Sequence, residues 1–248
     1  MKKIFLICLG ISLMTGTASA DWMEDLKERA LDEAEKELEP VVGDIGNVIG
    51  ADNLSVGLGF PGAEAGIKVA VNKISDSELI DTGSDYLIFP MAKAGAGLPA
   101  GISIHARGIG YELPETGHGF MMFGASVRST VIKDRLVSPI PGLTGILSYN
   151  RFHVSDIITV NNLSAGALAQ KSLPFITPYA GLSYEMNKGV VQITPPGTSI
   201  EEEVEPKNNF VRLMAGVSLK PIPLTYIDLG ATLSDGNLNY TAGAGLRF

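Results

Sequence analysis

The sequence has little of what most enzymes use for covalent or metal chemistry. Its 248 residues include one cysteine, one tryptophan and three histidines. The cysteine, Cys8, lies near the start, so the rest of the chain has no thiol for a disulfide, a thiolate–zinc site or a nucleophile. The histidines form no HExxH pair, and the glycine-rich runs lack the strand-to-helix context of a phosphate loop. We expect no cofactor, no bound metal and no enzymatic activity.

Basic residues are also scarce. Lysine and arginine number 19 against 27 aspartates and glutamates, which gives a net charge of −8. Because contacts with phosphates need a positive field, this balance excludes nucleic acid as the expected partner. A hydrophobic content of 45% and a mean hydropathy of +0.21 exclude an intrinsically disordered chain.

Residues 1–20 have the three parts of a secretory signal peptide. A positive start at Lys2-Lys3 precedes an apolar run at 4–14, and Ala18-Ser19-Ala20 supplies small residues for cleavage. The run is shorter than the ~20 residues that cross a bilayer as a helix. We predict cleavage before Asp21. This removes two lysines and no acid and changes the net charge from −8 to −10.

Residues 21–53 predict a short N-terminal helical segment. Residues 21–39 carry nine acids and three bases, and their apolar residues recur at three- and four-residue spacing, which is typical of an amphipathic helix. After Pro40, residues 41–53 are interrupted by glycine and difficult to assign. The favoured interpretation is a solvated helix that docks lightly; the alternatives are a plug in a larger structure or a periplasmic contact.

From residue 54 onward, the pattern changes to alternating apolar and polar residues between glycines and prolines, which is typical of half-buried strands. Ten segments show it, each close to the ~9–11 residues that cross a membrane as a tilted strand. The predicted strands are 64–72, 87–97, 101–111, 119–133, 143–154, 158–171, 175–186, 210–220, 224–233 and 238–248. A strand at 54–60 or a hairpin at 190–194 would raise the number to twelve.

Both a soluble β-sandwich or barrel and a transmembrane β-barrel fit such strands behind a signal peptide. Connection lengths favour the membrane. The turns Leu98-Pro99-Ala100, Ser172-Leu173-Pro174 and Pro221-Ile222-Pro223 are tight, whereas 73–85 and 188–207 are long. Short turns at one end and long loops at the other are typical of outer-membrane barrels. We predict an all-β fold, an antiparallel transmembrane barrel over residues 54–248.

The C-terminal run LNYTAGAGLRF, ending at Phe248, resembles the last strand of bacterial outer-membrane β-barrels, which ends in an aromatic residue after alternating apolar positions. The resemblance implies residence in the bacterial outer membrane, contact with its lipid, and recognition of this strand, with Phe248 as the assembly signal, by the barrel assembly machinery.

A narrower resemblance covers roughly residues 60–248. Residues 90–110, the run FMMFG at 120–124 and the run PYAGLSY at 178–184 are similar to a family of uncharacterised outer-membrane barrels, distantly reminiscent of fatty-acid-transporter barrels. The recurring piece is GLPAG at 97–101, followed by Arg107. The family has no established activity, so the resemblance implies no functional residue.

If the apolar faces meet lipid, the alternation places nine charged side chains in the lumen, six basic and three acidic. They are Glu64, Lys68, Lys93, Arg107, Arg128, Glu185, Arg212, Asp228 and Arg247. Such a lumen favours an anionic or amphipathic ligand, although about ten strands leave an interior nearly filled by side chains, which disfavours a general porin.

We therefore expect a narrow channel or carrier for small or amphipathic molecules. Two alternatives stay open. One is a non-transporting barrel for envelope integrity or for partner binding through its loops. The other, less favoured, is an outer-membrane lipid hydrolase that uses His105 with Ser103 or Ser126.

Overall fold

The structure is a computed structural model that describes residues 20–52, 57–73, 86–112, 119–134, 139–154, 158–193 and 202–248. The predicted signal peptide lies outside these residues except for Ala20. One long helix, α1 (Ala20–Ile49), contains Pro40. The strands are β1 (Gly62–Lys73), β2 (Tyr86–Gly97), β3 (Ile102–Glu112), β4 (Gly119–Ile132), β5 (Gly142–Val154), β6 (Ile158–Gln170), β7 (Ile176–Ile193), β8 (Glu202–Val204), β9 (Lys207–Leu219), β10 (Thr225–Ser234) and β11 (Asn237–Arg247).

Ten of these strands form a closed antiparallel barrel, which confirms the predicted fold class. Each strand pairs with its neighbours along the chain, and β1 pairs with β11 to close the two ends of the sheet. The short β8 pairs only with the last residues of β7 and is not one of the strands that form the barrel wall. The twelve-strand alternative at 190–194 does not hold over its described part, because residues 190–193 continue β7, while 194 lies outside the described residues. Residues 57–60 form no strand, and 54–56 lie outside the described residues.

The barrel has two different ends. At one, which we call the turn end, β2–β3, β6–β7 and β9–β10 are joined by four or five residues, and the start of β1 meets Phe248. The nine-residue β4–β5 connection is also there. At the other, the loop end, the β1–β2, β3–β4 and β7–β9 connections have six or more residues, whereas the three-residue β5–β6 connection and the β10–β11 turn at Asp235-Gly236 are tight.

Apolar side chains cover the outside of the barrel and polar side chains fill the inside. Ile67, Leu182 and Leu213 on the outer face are each at least half exposed, whereas Asn150, Asn162 and Thr232 on the inner face are fully buried. A soluble barrel has the opposite distribution, since its apolar face forms the core. The arrangement is that of a membrane-spanning barrel with lipid around it. Among the described residues, no helix is long and apolar enough to cross a membrane.

Two inward tyrosines lie across glycines on adjacent strands and help to fill the lumen. A Cβ atom added to Gly216 would lie 2.5 Å from the Tyr179 hydroxyl, and one added to Gly245 would lie 2.7 Å from the Tyr226 hydroxyl. Because glycine has no side chain, each ring can approach the neighbouring strand closely.

Candidate functional site in the barrel lumen

The chain before β1 runs through the lumen from the loop end to the turn end. Val42 on α1 lies beside Gly189 at the loop end, Gly46 lies beside Asn187 farther in, and a Cβ atom added to Gly97 would lie 2.0 Å from the Gly59 carbonyl at the turn end. We call residues 41–52, which are buried apart from the partly exposed Ile45, the lumen segment. The sequence left residues 41–53 difficult to assign, and the structure places 41–52 inside the lumen, in the position of a plug.

One side of the lumen segment packs on an apolar wall formed by β2, β4, β5 and β6. The segment contributes Val42, Ile45, Val48 and Ile49, and the wall contributes Phe89, Met91, Phe120, Met122, Phe152 and Val160. The Phe89 ring lies 6.0 Å from that of Phe120 and 5.9 Å from that of Phe152 between centroids. Burial of these apolar side chains stabilises the helix inside the lumen through the hydrophobic effect. The sequence analysis did not identify this wall, because it assigned apolar positions to the lipid face.

The opposite side of the lumen segment is made of glycines. Gly43, Gly46 and Gly50 follow a three- and four-residue spacing and so share one helix face. A Cβ atom at Gly46 would lie 2.2 Å from Asn187 Oδ1, and one at Gly50 would lie 2.7 Å from the Arg212 guanidinium. The glycines that made this segment difficult to assign are the residues that let its backbone approach the polar wall of β7 and β9.

Arg212 binds the end of the helix. Its Nη1 donates to the carbonyl of Asn47 at 3.1 Å, its Nη2 donates to the carbonyl of Gly46 at 3.4 Å, and its Nε donates to Glu185 Oε1 at 3.1 Å. The last carbonyls of a helix lack partners within it and carry partial negative charge. α1 has no basic residue in its last turn, so the barrel wall supplies the cation.

Asp52 lies among cations from three strands. Its Oδ1 accepts a hydrogen bond from Lys68 Nζ at 2.6 Å, its Oδ2 is 3.8 Å from Arg107 Nη1, and its carbonyl accepts from Arg128 Nη2 at 3.4 Å. All four residues are buried. Buried charges are stable only when they are paired and hydrogen-bonded, so the carboxylate and the cations depend on one another.

The remaining predicted lumen charges form a second group nearer the turn end. Glu64 Oε2 accepts from Arg247 Nη2 at 2.8 Å, Glu64 Oε1 is 3.7 Å from Lys93 Nζ, and Lys93 Nζ is 3.5 Å from Asp228 Oδ2. Lys93 and Arg247 also lie over the ring of Tyr226, at 4.9 and 4.6 Å from its centroid.

The structure places all nine of the charged residues selected from the sequence inside the barrel. Eight are buried, and the Arg247 side chain is 17% exposed. Six bases and three acids leave an excess of three positive charges. The buried Asp44 and Asp52 of the lumen segment reduce this excess to one. Asp44 lies near the loop end, where Asn72 Nδ2 donates to its Oδ1 at 3.3 Å. The sequence analysis missed both acids, since neither lies on a strand.

The residues of the hydrolase alternative are also in contact. Ser103 Oγ is 3.1 Å from His105 Nε2, and His105 Nδ1 is 3.0 Å from Glu64 Oε1, the order of nucleophile, base and acid in serine hydrolases. Glu64, however, is shared with Lys93 and Arg247, and Ser103 is only 2% exposed. These contacts make Ser103, His105 and Glu64 a part of the ion-pair network in the barrel interior.

Between the lumen segment and the turn end, the barrel contains a cavity of about 740 Å³ that opens at the turn end. Leu58, Thr144, Thr177 and Arg247 are among the residues that line it. Phe248 lies on its rim. The backbone of Phe248 is hydrogen-bonded in both directions to Ala63, at 2.8 and 3.0 Å, so the last residue of the chain closes the seam between β11 and β1.

No protein-family model matches the chain, and no curated protein matches it. Several solved barrels are similar in structure. The N-terminal β-barrel domain of Pseudomonas aeruginosa OprF is 12% identical over 77% of this chain and all of its own, with a TM-score of 0.39. The translocator domain of the autotransporter NalP from Neisseria meningitidis is 12% identical over 87% of this chain and 97% of its own, with a TM-score of 0.44.

The outer-membrane protease OmpT from Escherichia coli is 11% identical over 78% of this chain and 99% of its own, with a TM-score of 0.43. The prediction of an outer-membrane barrel agrees with these neighbours. Because every one of these TM-scores is below 0.5, the membrane assignment depends on the apolar exterior and polar interior of this barrel itself.

Proposed function

We propose that the protein is a sealed outer-membrane barrel, closed to ions at rest by its own lumen segment. The observation that carries this proposal is the binding of Asp52 by Lys68, Arg107 and Arg128. The cations that the sequence analysis assigned to an anionic ligand have an anion of the chain itself as their partner. Of the functions considered from the sequence, the non-transporting barrel for envelope integrity or partner binding fits these contacts best.

The architecture of the lumen supports the same proposal. About ten strands leave little space beyond what inward side chains fill, and a helix crosses most of what is left. A channel or carrier would need the lumen segment to leave. Its departure would expose the apolar wall to water and separate Arg212 from the helix carbonyls, so the closed form is strongly preferred.

Conductance in planar bilayers tests the seal. We expect the wild-type protein to be silent and Asp52→Arg to conduct, because a fourth cation beside Lys68, Arg107 and Arg128 expels the lumen segment. Glu203→Arg, a matched change on an exposed side chain near the loop end, should remain silent. Heat-modifiability on gels establishes that each variant is a folded barrel. Stable openings of the wild-type protein would contradict the proposal.

A cross-link tests the position of the segment without any current. Val42→Cys combined with Gly189→Cys places two thiols in contact, since a Cβ atom at Gly189 would lie 2.5 Å from Val42 Cγ2. After removal of the predicted signal peptide the chain has no other cysteine. We expect a disulfide that shifts mobility on non-reducing gels. Val42→Cys combined with Ile222→Cys, at opposite ends of the barrel, is the control that should not form one.

The turn-end cavity supports a second candidate, a binding site for a small amphipathic or anionic molecule. Its volume of about 740 Å³ is in the range of known ligand sites, and Lys133, Lys220 and Arg247 line it. Saturable binding of a fluorescent fatty acid, lost in Lys220→Glu and kept in Lys188→Glu at the other end, would support this candidate. Equal binding to both variants would contradict it.

A fluorophosphonate probe tests the hydrolase alternative. Because Ser103 is buried in the ion-pair network, we expect the folded protein to remain unlabelled. Labelling that disappears in Ser103→Ala, with the barrel still folded, would overturn this expectation and make the protein a serine hydrolase.

A further inference from the structure

We infer that the barrel carries its own N-terminal helix across the outer membrane and displays the part before residue 41 on the outer face. The inference rests on the proposed function in one respect, that the lumen segment stays in place. It adds the direction in which the chain crosses the membrane and the export of the part before residue 41. A sealed barrel requires neither.

The first step is the order of contacts along the lumen. Val42 is beside Gly189 at the loop end. Asp52, ten residues later, is at the middle of the barrel beside Lys68. Gly59 is at the turn end, and β1 begins there at Gly62. The chain therefore enters β1 from the turn end, after it has descended through the lumen from the loop end.

The second step is the orientation of the barrel. Outer-membrane barrels have short turns at the periplasmic end and longer loops outside the cell. Here the tight β2–β3, β6–β7 and β9–β10 turns and the β1–β11 seam share one end, and the long β1–β2 and β7–β9 connections share the other. The turn end therefore faces the periplasm, and the loop end faces outward.

The third step is the position of the rest of α1. Residues 20–40 precede the lumen segment in the same helix and correspond to about 30 Å at 1.5 Å per residue. Glu35, Glu37 and Leu38 are half-buried at the loop end, and Lys36 and Glu39 are already exposed. Residues 21–39 carry nine acids and three bases, a composition that suits water and not lipid. A helix that continues outward from Val42 at the loop end lies outside the cell.

A secreted chain reaches the periplasm before the outer membrane, so placing this part of the helix outside the cell requires its transport across the outer membrane. The predicted signal peptide delivers residues 21–40 to the periplasm, and the folded barrel holds them beyond its outer end. They must therefore cross with the barrel, either as the strands close around the segment or through the lumen before Asp52 and Arg212 bind. In either case the barrel exports and retains a segment of its own chain.

Cysteine labelling on intact cells tests the inference, with the full chain expressed in a Gram-negative host. Lys36→Cys reports the helix, Glu205→Cys reports the loop end, and Ile222→Cys reports the turn end; all three positions are exposed. We expect a membrane-impermeant maleimide to label Lys36→Cys and Glu205→Cys equally on intact cells. Ile222→Cys should be labelled only after the outer membrane is permeabilised.

Two outcomes overturn the inference. One is labelling of Lys36→Cys only after permeabilisation, together with Ile222→Cys, which would place the helix in the periplasm. The other is labelling of Ile222→Cys and not Glu205→Cys on intact cells, which would invert the barrel. These results are separate from the bilayer test. A silent bilayer with a periplasmic Lys36 overturns display alone, and a conducting wild-type protein with an external Lys36 overturns the seal alone.

Discussion

Asp52 is the residue whose removal most directly tests how the lumen is held together. The Lys68 ammonium is 2.6 Å from its carboxylate, and the side chains of the pair are 0% and 4% exposed. Asp52→Asn keeps the shape of the side chain and removes the charge, so Lys68 remains buried beside Arg107 and Arg128 with no carboxylate among them. Breaking a buried ion pair in this way costs about 3–5 kcal/mol.

The measurement is the free energy of unfolding in lipid vesicles, obtained from urea titrations followed by circular dichroism and by gel mobility. Glu203→Gln removes the charge of an exposed carboxylate and should change the free energy by no more than about 0.5 kcal/mol. The double variant Asp52→Asn with Lys68→Met should recover part of the loss, because it removes the stranded cation as well. Equal stability of Asp52→Asn and Glu203→Gln would refute the role of the lumen segment as the partner of these cations.

Three further predictions concern the lipid face, assembly and pH. Leu229 is 46% exposed near the middle of β10, so Leu229→Arg should lower the free energy of unfolding in lipid by about 2–4 kcal/mol; no change would contradict the assignment of this face to lipid. Deletion of Phe248 removes the backbone hydrogen bonds to β1 and the proposed assembly signal, and should reduce the folded barrel in outer-membrane fractions; normal amounts would count against both roles. At the turn end, burial raises the pKa of Asp134, but hydrogen bonds from the Ser172 amide and from Lys171 outweigh it and hold that pKa below its ordinary value of 3.8. A carboxyl with a lowered pKa in the folded state contributes stability above its unfolded pKa and loses it as pH falls through the folded value. Stability measured from pH 6 to pH 3 should therefore fall more in the wild-type protein than in Asp134→Asn, and parallel curves would contradict this.

The alternation of the sequence was sufficient to predict the ten barrel strands and the residues that share a face. Side chains of a strand alternate between two sides with a period of two, so Arg128 and Arg212 had to share sides with Ser126 and Ser218, whatever the partner strands were. Turn residues bounded the strands for the same local reason. Connection lengths then separated the two ends of the barrel before any contact was known.

Only the tertiary structure decided what fills the lumen. Periodicity does not distinguish the inside of a barrel from its outside, so Phe89 and Met122 were not recognised as the wall that receives a helix. The helical character of residues 41–49 depends on that wall and on polar side chains close enough to require glycine at Gly46. Asp52 is 16 residues from Lys68 and 76 from Arg128, and only the closure of the sheet brings such distant charges together. A buried charge needs a partner, but local sequence does not specify which distant residue provides it.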